Sequence, residues 1–560
     1  MLRNRQGERV YIGKAASLSF LQLLRDIFSQ QIGPSQFSND SHREDMLETE
    51  TPHDIAVLED SFSLDQKVAF METYFIATSG FIHVISHSEA MQILNETTPS
   101  SETRAALSDV MIAIGAQSCK ANPTAMQAER FFFARGQRKA FTSMLVNPSL
   151  ELVRLFLLMS FYMLGACRRN AAFMYLGIAS RAAAALGLHN AEYLAATDVS
   201  KSRIWMSVCV LDLLVSSILG RPSATATLRP DVEGNATGSI SYGRLNASYR
   251  LSLILDDIIA RLYNEKSAPA DVAEYFLREL NKWKSDLPES LLSPPSMTDE
   301  SSLAQEHIIG SLHVACSYHF AVIVVTRPFL VSVLSLRLAR LAQDFPDDQI
   351  PQDDPAHSKL ASACTDSAMY MMQTCIEVHR SQLLLGNMCI LKAFVFAAAL
   401  VLGFSMFSQR QVDPGLEEAF NGAIEILRIL SHQSAQAAHY FEILTTLANA
   451  ITEQRQRLTS QRRGSQYVSK LFTLDNNNPS RATPRDQETA LLPQRAMSPV
   501  SAHANNVSLL AQGDYSFNIM PEMESLFSGW EGMDLPLWDS FPFLTEPDPI
   551  QDRPGESSGL

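Results

Sequence analysis

The side chains in this sequence whose types could bind metal or phosphate, or attack a substrate, are seven cysteines, a close histidine pair and a lysine behind two glycines. The cysteines are Cys119, Cys167, Cys209, Cys316, Cys364, Cys375 and Cys389. No two form a C-x-x-C pair and the shortest gaps are 11 and 14 residues, so adjacent chain cannot close a tetrahedral zinc site. Their odd number and apolar neighbours read as buried thiols in a reducing compartment. His83 and His87 stand at i, i+4, a spacing that could put two imidazoles on one helix face. No H-E-x-x-H pattern accompanies them, so a structural pair is the favoured reading. Gly7 to Lys14 resembles a phosphate loop, but it is one residue too long, and Ala15 stands where a magnesium-binding hydroxyl is required. No G-x-S-x-G elbow or G-x-G-x-x-G turn occurs. The acids Asp344, Asp347, Asp348, Asp353 and Asp354 lack the ligand order and turn glycine of a calcium loop. Neither a catalytic nor a metal-ligating residue is assigned, and no enzyme is expected. An active site dispersed along the chain has no positive support.

The elements that would position any site are helical. Strand signals are sparse, and Asn421-Gly422 falls in helical spacing rather than between strands. In Ala171–His189, Ala172, Leu176, Ala179, Ala183 and Leu186 recur every three or four residues as a small-residue face for close packing, and Gly187 supplies a left-handed stop. A helix from Lys201 to Leu219 should end at Gly220-Arg221-Pro222. Similar spacing predicts helices over Tyr249–Tyr263, Val272–Lys284, Leu303–Leu334, His357–Arg380, Gly386–Phe407 and Leu416–Leu458. Polar, proline-rich breaks fall at Asp286–Glu300 and Asp344–Pro355. The fold class is therefore all-α, a large multi-helix, bundle-like domain. Cys389–Phe407 approaches the roughly 20 apolar residues of a membrane span. Its apolar neighbours Leu155–Cys167 and Ile204–Leu219 are shorter, which favours helices buried against each other over a membrane role. The N-terminus has charges but no apolar region with a cleavage site, which argues against secretion. The N-x-[S/T] sequons, such as Asn39 and Asn246, are accordingly read as coincidental.

Of 560 residues, 46% are hydrophobic and 19% charged, enough to bury a core. The net charge of −15 disfavours a whole-protein grip on nucleic acid. That charge is unevenly placed. Ten acids against one base between Asp514 and Leu560 give −9, more than half the total. The same stretch holds Trp530, Trp538, Tyr515, Phe517, Phe527, Phe541 and Phe543, and six prolines that break long helices. Carboxylates interleaved with bulky hydrophobes are the composition of disordered activation segments, where mutual repulsion keeps aromatics exposed for a partner's groove. Met523, Leu526, Phe527 and Trp530 share one face of a two-turn helix. With Trp538 and Phe541 they are the candidate partner-binding residues, favoured over docking back on the helical body. The preceding stretch, rich in Asn, Ser, Thr, Arg and Gln, reads as a disordered linker. Arg455, Arg457, Arg462, Arg463 and Lys470 form an acid-free basic run suited equally to nuclear import, anion binding or a solvated helix end.

Two segments, RRNAAFMYLGIASRAAAALGLH (Arg168–His189) and RIWMSVCVLDLLVSSILGRPSA (Arg203–Ala224), resemble the central signature of the fungal-specific transcription factor domain, the middle homology region of binuclear zinc-cluster regulators. ETYFIATSGFIHVISHSEAM (Glu72–Met91), LNKWKSDLP (Leu280–Pro288) and VIVVTRPFL (Val322–Leu330) add to the resemblance in the same order. It covers about Asp65 to Leu447. It marks Arg181, Gly187, Trp205, Asp212, Gly220, Arg221, Pro222, Arg327 and Pro328 as structural signature positions. It implies an all-α domain acting in the nucleus, with shuttling to the cytoplasm left open, on RNA polymerase II genes of a fungus. Family members usually carry an N-terminal six-cysteine, two-zinc module that reads DNA. The cysteine spacing here lacks it, so no cofactor is expected in this chain, and zinc only with a missing N-terminal cluster. Two readings stay open. The DNA-binding exons lie upstream, which the opening GERVYIGKAASLSFLQLLRDIF favours by its similarity to the segment preceding the domain in intact regulators, or the protein acts through a DNA-bound partner. The resulting division is 1–64, a partly helical linker segment; 65–458, the regulatory domain; 459–510, a disordered linker; and 511–560, an acidic activation segment. The expected function is transcription regulation, with a coactivator or the general transcription machinery as partner of the tail, and a homodimer or a DNA-bound partner as further options. DNA is reached only indirectly or through missing residues, and no membrane is involved. The alternative is a helical scaffold or protein-interaction module with no transcriptional role.

Overall fold

The computed structural model describes residues 1–473, except 5–6, 40–47, 49–59, 97–100, 144–146, 191, 193–198, 229–239, 264–268, 289–290, 292–300, 343–353 and 410–412. Among the described residues the only strands are Leu2–Arg3 (β1) and Arg9–Val10 (β2), an antiparallel pair. The rest of the regular structure is helical: α1 (Ser17–Ile32), α2 (Leu64–Thr78), α3 (His87–Asn95), α4 (Glu102–Ser118), α5 (Pro123–Ser143), α6 (Leu150–Gly165), α7 (Arg169–Ala185), α8 (Val199–Leu219), α9 (Ile240–Leu262), α10 (Ala270–Ser285), α11 (Ser301–Ala342), α12 (Pro355–Arg380), α13 (Leu391–Phe407), α14 (Pro414–Leu430) and α15 (Ala435–Thr473).

Many of these helices begin where a short polar side chain can satisfy a first-turn N–H. Ser63 accepts from the Gln66 backbone at 3.2 Å while Gln66 reaches back to the Ser63 N–H at 2.9 Å, a reciprocal box at the start of α2. Ser86, Ser101 and Ser149 cap α3, α4 and α6, and Asp354 and Asp413 cap α12 and α14 with proline next in the chain.

Helices α1, α11, α12, α14 and α15 pack around α13. Helix α4 lies against α2, α5 and α6; α7 bridges α6 and α8; α11 pairs with α12; and α14 and α15 close over α13. Every side chain of α13 is buried. Its aromatics meet partners from across the chain: Phe407 stacks on Phe28 at 3.6 Å, Phe396 on Tyr440 at 3.9 Å, and Phe394 meets Phe320 at 4.8 Å. The nearly span-length apolar segment is thus the centre of a packed core. α8 and α11 are also long and apolar enough to cross a membrane, and both are largely buried in the same way.

Predicted spacing and observed elements agree in the middle of the chain. Ala172, Leu176, Ala179 and Ala183 of α7 are buried as one face, and Gly187 follows at φ +74°. Three differences stand out, the first two with tertiary causes and the third with a local one. The helix expected from Gly386 starts at Leu391, because Gly386 donates its N–H to Ser118 O at 2.9 Å and passes so close to Cys119 that a Cβ there would collide with its carbonyl. Leu416–Leu458 is two helices. They are separated at Ser431–Ser434, where the Ser434 hydroxyl accepts both the Ala437 N–H and the buried Lys392 ammonium, at 3.3 and 2.6 Å. Helix α15 runs on through Thr473 on a sequence rich in arginine and glutamine, both good helix formers.

The first residues join the body. Phe20 and Phe28 of α1 pack against Phe404 and Phe407. The stretch that resembles a phosphate loop has a packing role: Gly13 donates to Leu219 O at 3.1 Å, and its bare Cα lies so close to Gly220 that a Cβ on either would overlap the other's backbone. Gly220 adopts φ +63°, so glycine is required there twice over.

Candidate functional site

The signature positions sit mainly where helices are tied together. Trp205 is fully buried in α8. Asp212, about two helical turns further on and also buried, accepts the Thr225 N–H at 2.8 Å and hydroxyl at 2.7 Å, which pins the chain leaving the helix. Burial pushes the Asp212 carboxyl above the usual carboxylate range, and the Thr225 bonds act against that. Arg221 donates to Tyr11 O at 3.1 Å and to Asn170 Oδ1 at 2.7 Å, with its guanidinium 5.0 Å from the centre of the Phe173 ring. It thereby joins the N-terminal segment, α7 and the end of α8. Buried Arg327 donates to Ala15 O at 2.7 Å and the Tyr263 hydroxyl at 3.1 Å, and lies 5.1 Å over Phe20. Pro328 is inside α11. Arg181 and Pro222 are exposed.

The histidine pair does not share a helix face. His83 lies in the turn between α2 and α3, and His87 opens α3 after the Ser86 cap. The His83 ring lies 3.4 Å from Arg203, and the His83 backbone N–H donates to Ser207 Oγ. His87 faces Glu306 at 3.2 Å. Burial, reinforced by the Arg203 charge, holds His83 down at about 4. Among the described residues no group of three or more His, Cys, Asp or Glu side chains could hold a metal. Of the cysteines, Cys316 and Cys375 approach to 3.7 Å, both fully buried.

A cavity of about 330 Å³ opens between α4, α5, the end of α6, the 386–390 loop and the α14–α15 turn. One wall is aromatic, with Phe133 and Tyr162 stacked at 3.7 Å. Glu129, one turn before Phe133, places its carboxylate on this wall. Its Oε1 accepts from Gln117 Nε2 and from the Tyr162 hydroxyl, each at 3.1 Å. Burial raises the Glu129 carboxyl above its usual value, while these two bonds, then Arg130 and Lys392, pull it back. Gln117 reaches its position only because Gly165 has no side chain; a Cβ there would overlap the Gln117 amide. Arg130, Arg168, Gln137, Asn387, His432 and Gln433 complete the polar lining. Just beneath, Lys392 Nζ donates to Asn387 Oδ1 at 2.8 Å and Ser434 Oγ at 2.6 Å, and burial lowers its ammonium to about 8.

None of Gln117, Glu129, Tyr162 or Lys392 stands out in a motif search, because the cavity draws on residues from 116 to 435. The available signal was local: Glu129 and Arg130 precede three consecutive phenylalanines in α5, an acid on an aromatic face. The candidate partner-binding residues Met523, Leu526, Phe527, Trp530, Trp538 and Phe541 lie outside the described residues, as does the acidic loop except Asp354. Of the basic run, Arg455 pairs with Glu417 at 3.3 Å and Arg457 with Glu453 at 2.9 Å, as on a solvated helix surface.

Residues 71–233, from within α2 to the chain beyond α8, match the model of the fungal specific transcription factor domain. Similar curated proteins are named as fungal transcriptional regulators. An uncharacterized transcriptional regulatory protein of Schizosaccharomyces pombe is 23% identical over 60% of this chain and 47% of its own length. Transcription factor FBD3 of Fusarium pseudograminearum is 24% identical over 50% of this chain and 44% of its own. The thiamine repressible genes regulatory protein thi1 of Schizosaccharomyces pombe is 29% identical over 35% and 26%. The chain spans about half the length, or less, of the curated relatives it matches.

Proposed function

We propose that this protein is a nuclear regulator of RNA polymerase II transcription in a fungus, whose helical body is the regulatory module and whose C-terminal segment recruits coactivator. The match of residues 71–233 to the fungal specific transcription factor domain carries this reading, and relatives named as transcriptional regulators support it. The tail's part rests on its charge of −9 and its exposed-type aromatics. Sequence-specific DNA contact comes from a DNA-bound partner or from residues outside this sequence, and the chain itself holds no stoichiometric zinc.

Fusing residues 511–560 to a heterologous DNA-binding domain should activate a reporter, and Phe527→Ala with Trp530→Ala should reduce that activation severalfold. A silent wild-type fusion removes the tail's assigned role. Exclusion of the tagged full-length chain from the nucleus under all growth conditions, with an unchanged transcriptome on deletion, overturns the regulatory reading as a whole.

A further inference from the structure

Two thiols meet where α11 and α12 pack along each other. Cys316 of α11 and Cys375 of α12 bring their sulfurs to 3.7 Å, and both side chains are fully buried. A disulfide holds its sulfurs at about 2.05 Å, so the pair stands about 1.7 Å short of a bond, a gap that side-chain rotation and a small helix shift can close.

The surroundings decide how such a bond would form. The hydrogen bond to Cys375, and then burial, push the Cys316 thiol up, so it stays protonated and inert while the helices are closed. Cys375 stands five residues before the end of α12 at Arg380. Helix ends open at far smaller free energies than the core as a whole. Fraying of this last stretch brings the Cys375 sulfur to water first, while Cys316 lies well inside the 42-residue α11 as the second thiol. Both positions touch the rest of the core through their neighbours. Ile376 fills the space left by the bare Cα of Gly422 in α14, where a Cβ would overlap its side chain. Phe320, one turn beyond Cys316, meets Phe394 of α13.

We propose that Cys316 and Cys375 are a redox-modification site that a hydroperoxide closes to a disulfide, clamping α12 to α11. With the end of α12 open, the Cys375 thiol gives its proton to water and its sulfur attacks the outer oxygen of the peroxide. The O–O bond breaks, the leaving alkoxide or hydroxide takes up a proton, and Cys375 becomes a sulfenic acid. Once the helix recloses, the Cys316 sulfur attacks the Cys375 sulfur, the S–O bond breaks, and hydroxide leaves with the Cys316 proton as water. Two electrons pass from the thiols to the peroxide. The products are one disulfide, one alcohol or water from the peroxide, and one further water. In a reducing compartment the pair rests as thiols. Closing shifts Cys375 and its neighbour Ile376, so the movement reaches Gly422 of α14. A buried pair reached through helix opening answers sustained oxidant rather than a brief pulse. This inference stands apart from the transcriptional reading, because its readout is a covalent bond.

The test exposes the purified, reduced full-length protein to hydrogen peroxide, alkylates the remaining thiols in denaturant and maps the peptides without reduction. The expected product is one cross-link between the peptides of Cys316 and Cys375, two hydrogens lighter than the reduced pair and reopened by dithiothreitol. Circular dichroism should stay native throughout. The thermal midpoint of the oxidised protein should rise, because the bridge ties a long loop of the unfolded chain. Cys316→Ala and Cys375→Ala should each remove both the cross-link and the rise, and the mapping of the unaltered chain decides the matter if either variant does not fold. Free Cys316 and Cys375 thiols in the treated folded protein, cross-links through other cysteines instead, formation only after unfolding in urea, or an unchanged or lowered midpoint of the cross-linked chain overturns the proposal.

Discussion

The Tyr263 hydroxyl donates to the Val324 carbonyl at 2.7 Å, and Val324 is the residue whose helical donor Pro328 cannot supply. Proline in a helix interior removes one i to i−4 bond, and an unpaired carbonyl would otherwise remain in the core. Tyr263 fills the vacancy while accepting from Arg327 at 3.1 Å, so two adjacent signature residues are served by one phenol. Tyr263→Phe should cost about 1–3 kcal/mol of unfolding free energy. Pro328→Ala restores the missing N–H, so the double variant should lose less than the sum of the single losses. A double-mutant cycle in denaturant melts measures that coupling.

A second prediction concerns the junction of α4 and α5. Buried Asp109 takes both forks of Arg135, one of them at 3.0 Å, and the Lys139 ammonium at 3.0 Å, while Arg135 also reaches Asp60 at 3.0 Å. Removing the acid leaves two cations without their shared partner. Asp109→Ala should destabilise the body by about 1–3 kcal/mol, the loss of charge-assisted hydrogen bonds, because both cations keep some exposure to water. Asp60→Ala, at the half-exposed end of the network, should cost about 1 kcal/mol or less. Similar losses in the two variants, read from urea midpoints, would contradict this ordering.

Acid should weaken the fold through buried imidazoles. Burial holds His83 and His313 at about 4 and His319 at about 3, well below the ordinary value of 6.5. All three are therefore neutral when folded, and the unfolded chain takes up their protons first. Their contribution is complete above pH 6.5 and is lost as pH falls through that value toward 4. The raised carboxyls of Glu129 and Asp212 work in the opposite sense, losing stability as pH rises through their folded values, so they offset part of the slope. Unfolding free energy measured at intervals from pH 7 to 4.5 should fall, and His319→Gln should flatten the slope by about a third.

The crossing of Gly13 and Gly220 gives a fourth prediction. Gly220→Ala places a Cβ against the Gly13 backbone at φ +63°, combining steric overlap with an unfavourable left-handed residue. A loss of more than about 2 kcal/mol is expected. Gly7→Ala, also at positive φ but with open space around it, should lose only about 1 kcal/mol. Thermal melts of the two variants separate the conformational cost from the contact cost.

How much of this was legible beforehand depended on where the cause of each feature lies. The α7 face and the stops at Gly187 and Gly220 are local matters of spacing and φ, and they read directly from the chain. The turn at Ser431–Ser434 carries no glycine or proline; it exists because Lys392, some forty residues earlier in sequence, bonds Ser434. His83 and His87 look like one helix face until the Ser86 cap restarts the helix between them. The cavity was illegible for the same reason: Glu129 acquires its partners only when α4, α5 and α6 are packed, and nothing in linear spacing relates Gln117 to Tyr162.

The β1–β2 hairpin has a mechanical consequence. Met1 is exposed, but Leu2 is already buried, and from Gly13 onward the chain is clamped to the end of α8 and the Arg327 side chain. Any polypeptide joined ahead of Met1 would leave the body from a fixed bearing, with about one residue of slack. Its aim in space would be inherited from the helical body, and a spacer of flexible residues inserted at that junction would uncouple the two like a loosened hinge pin.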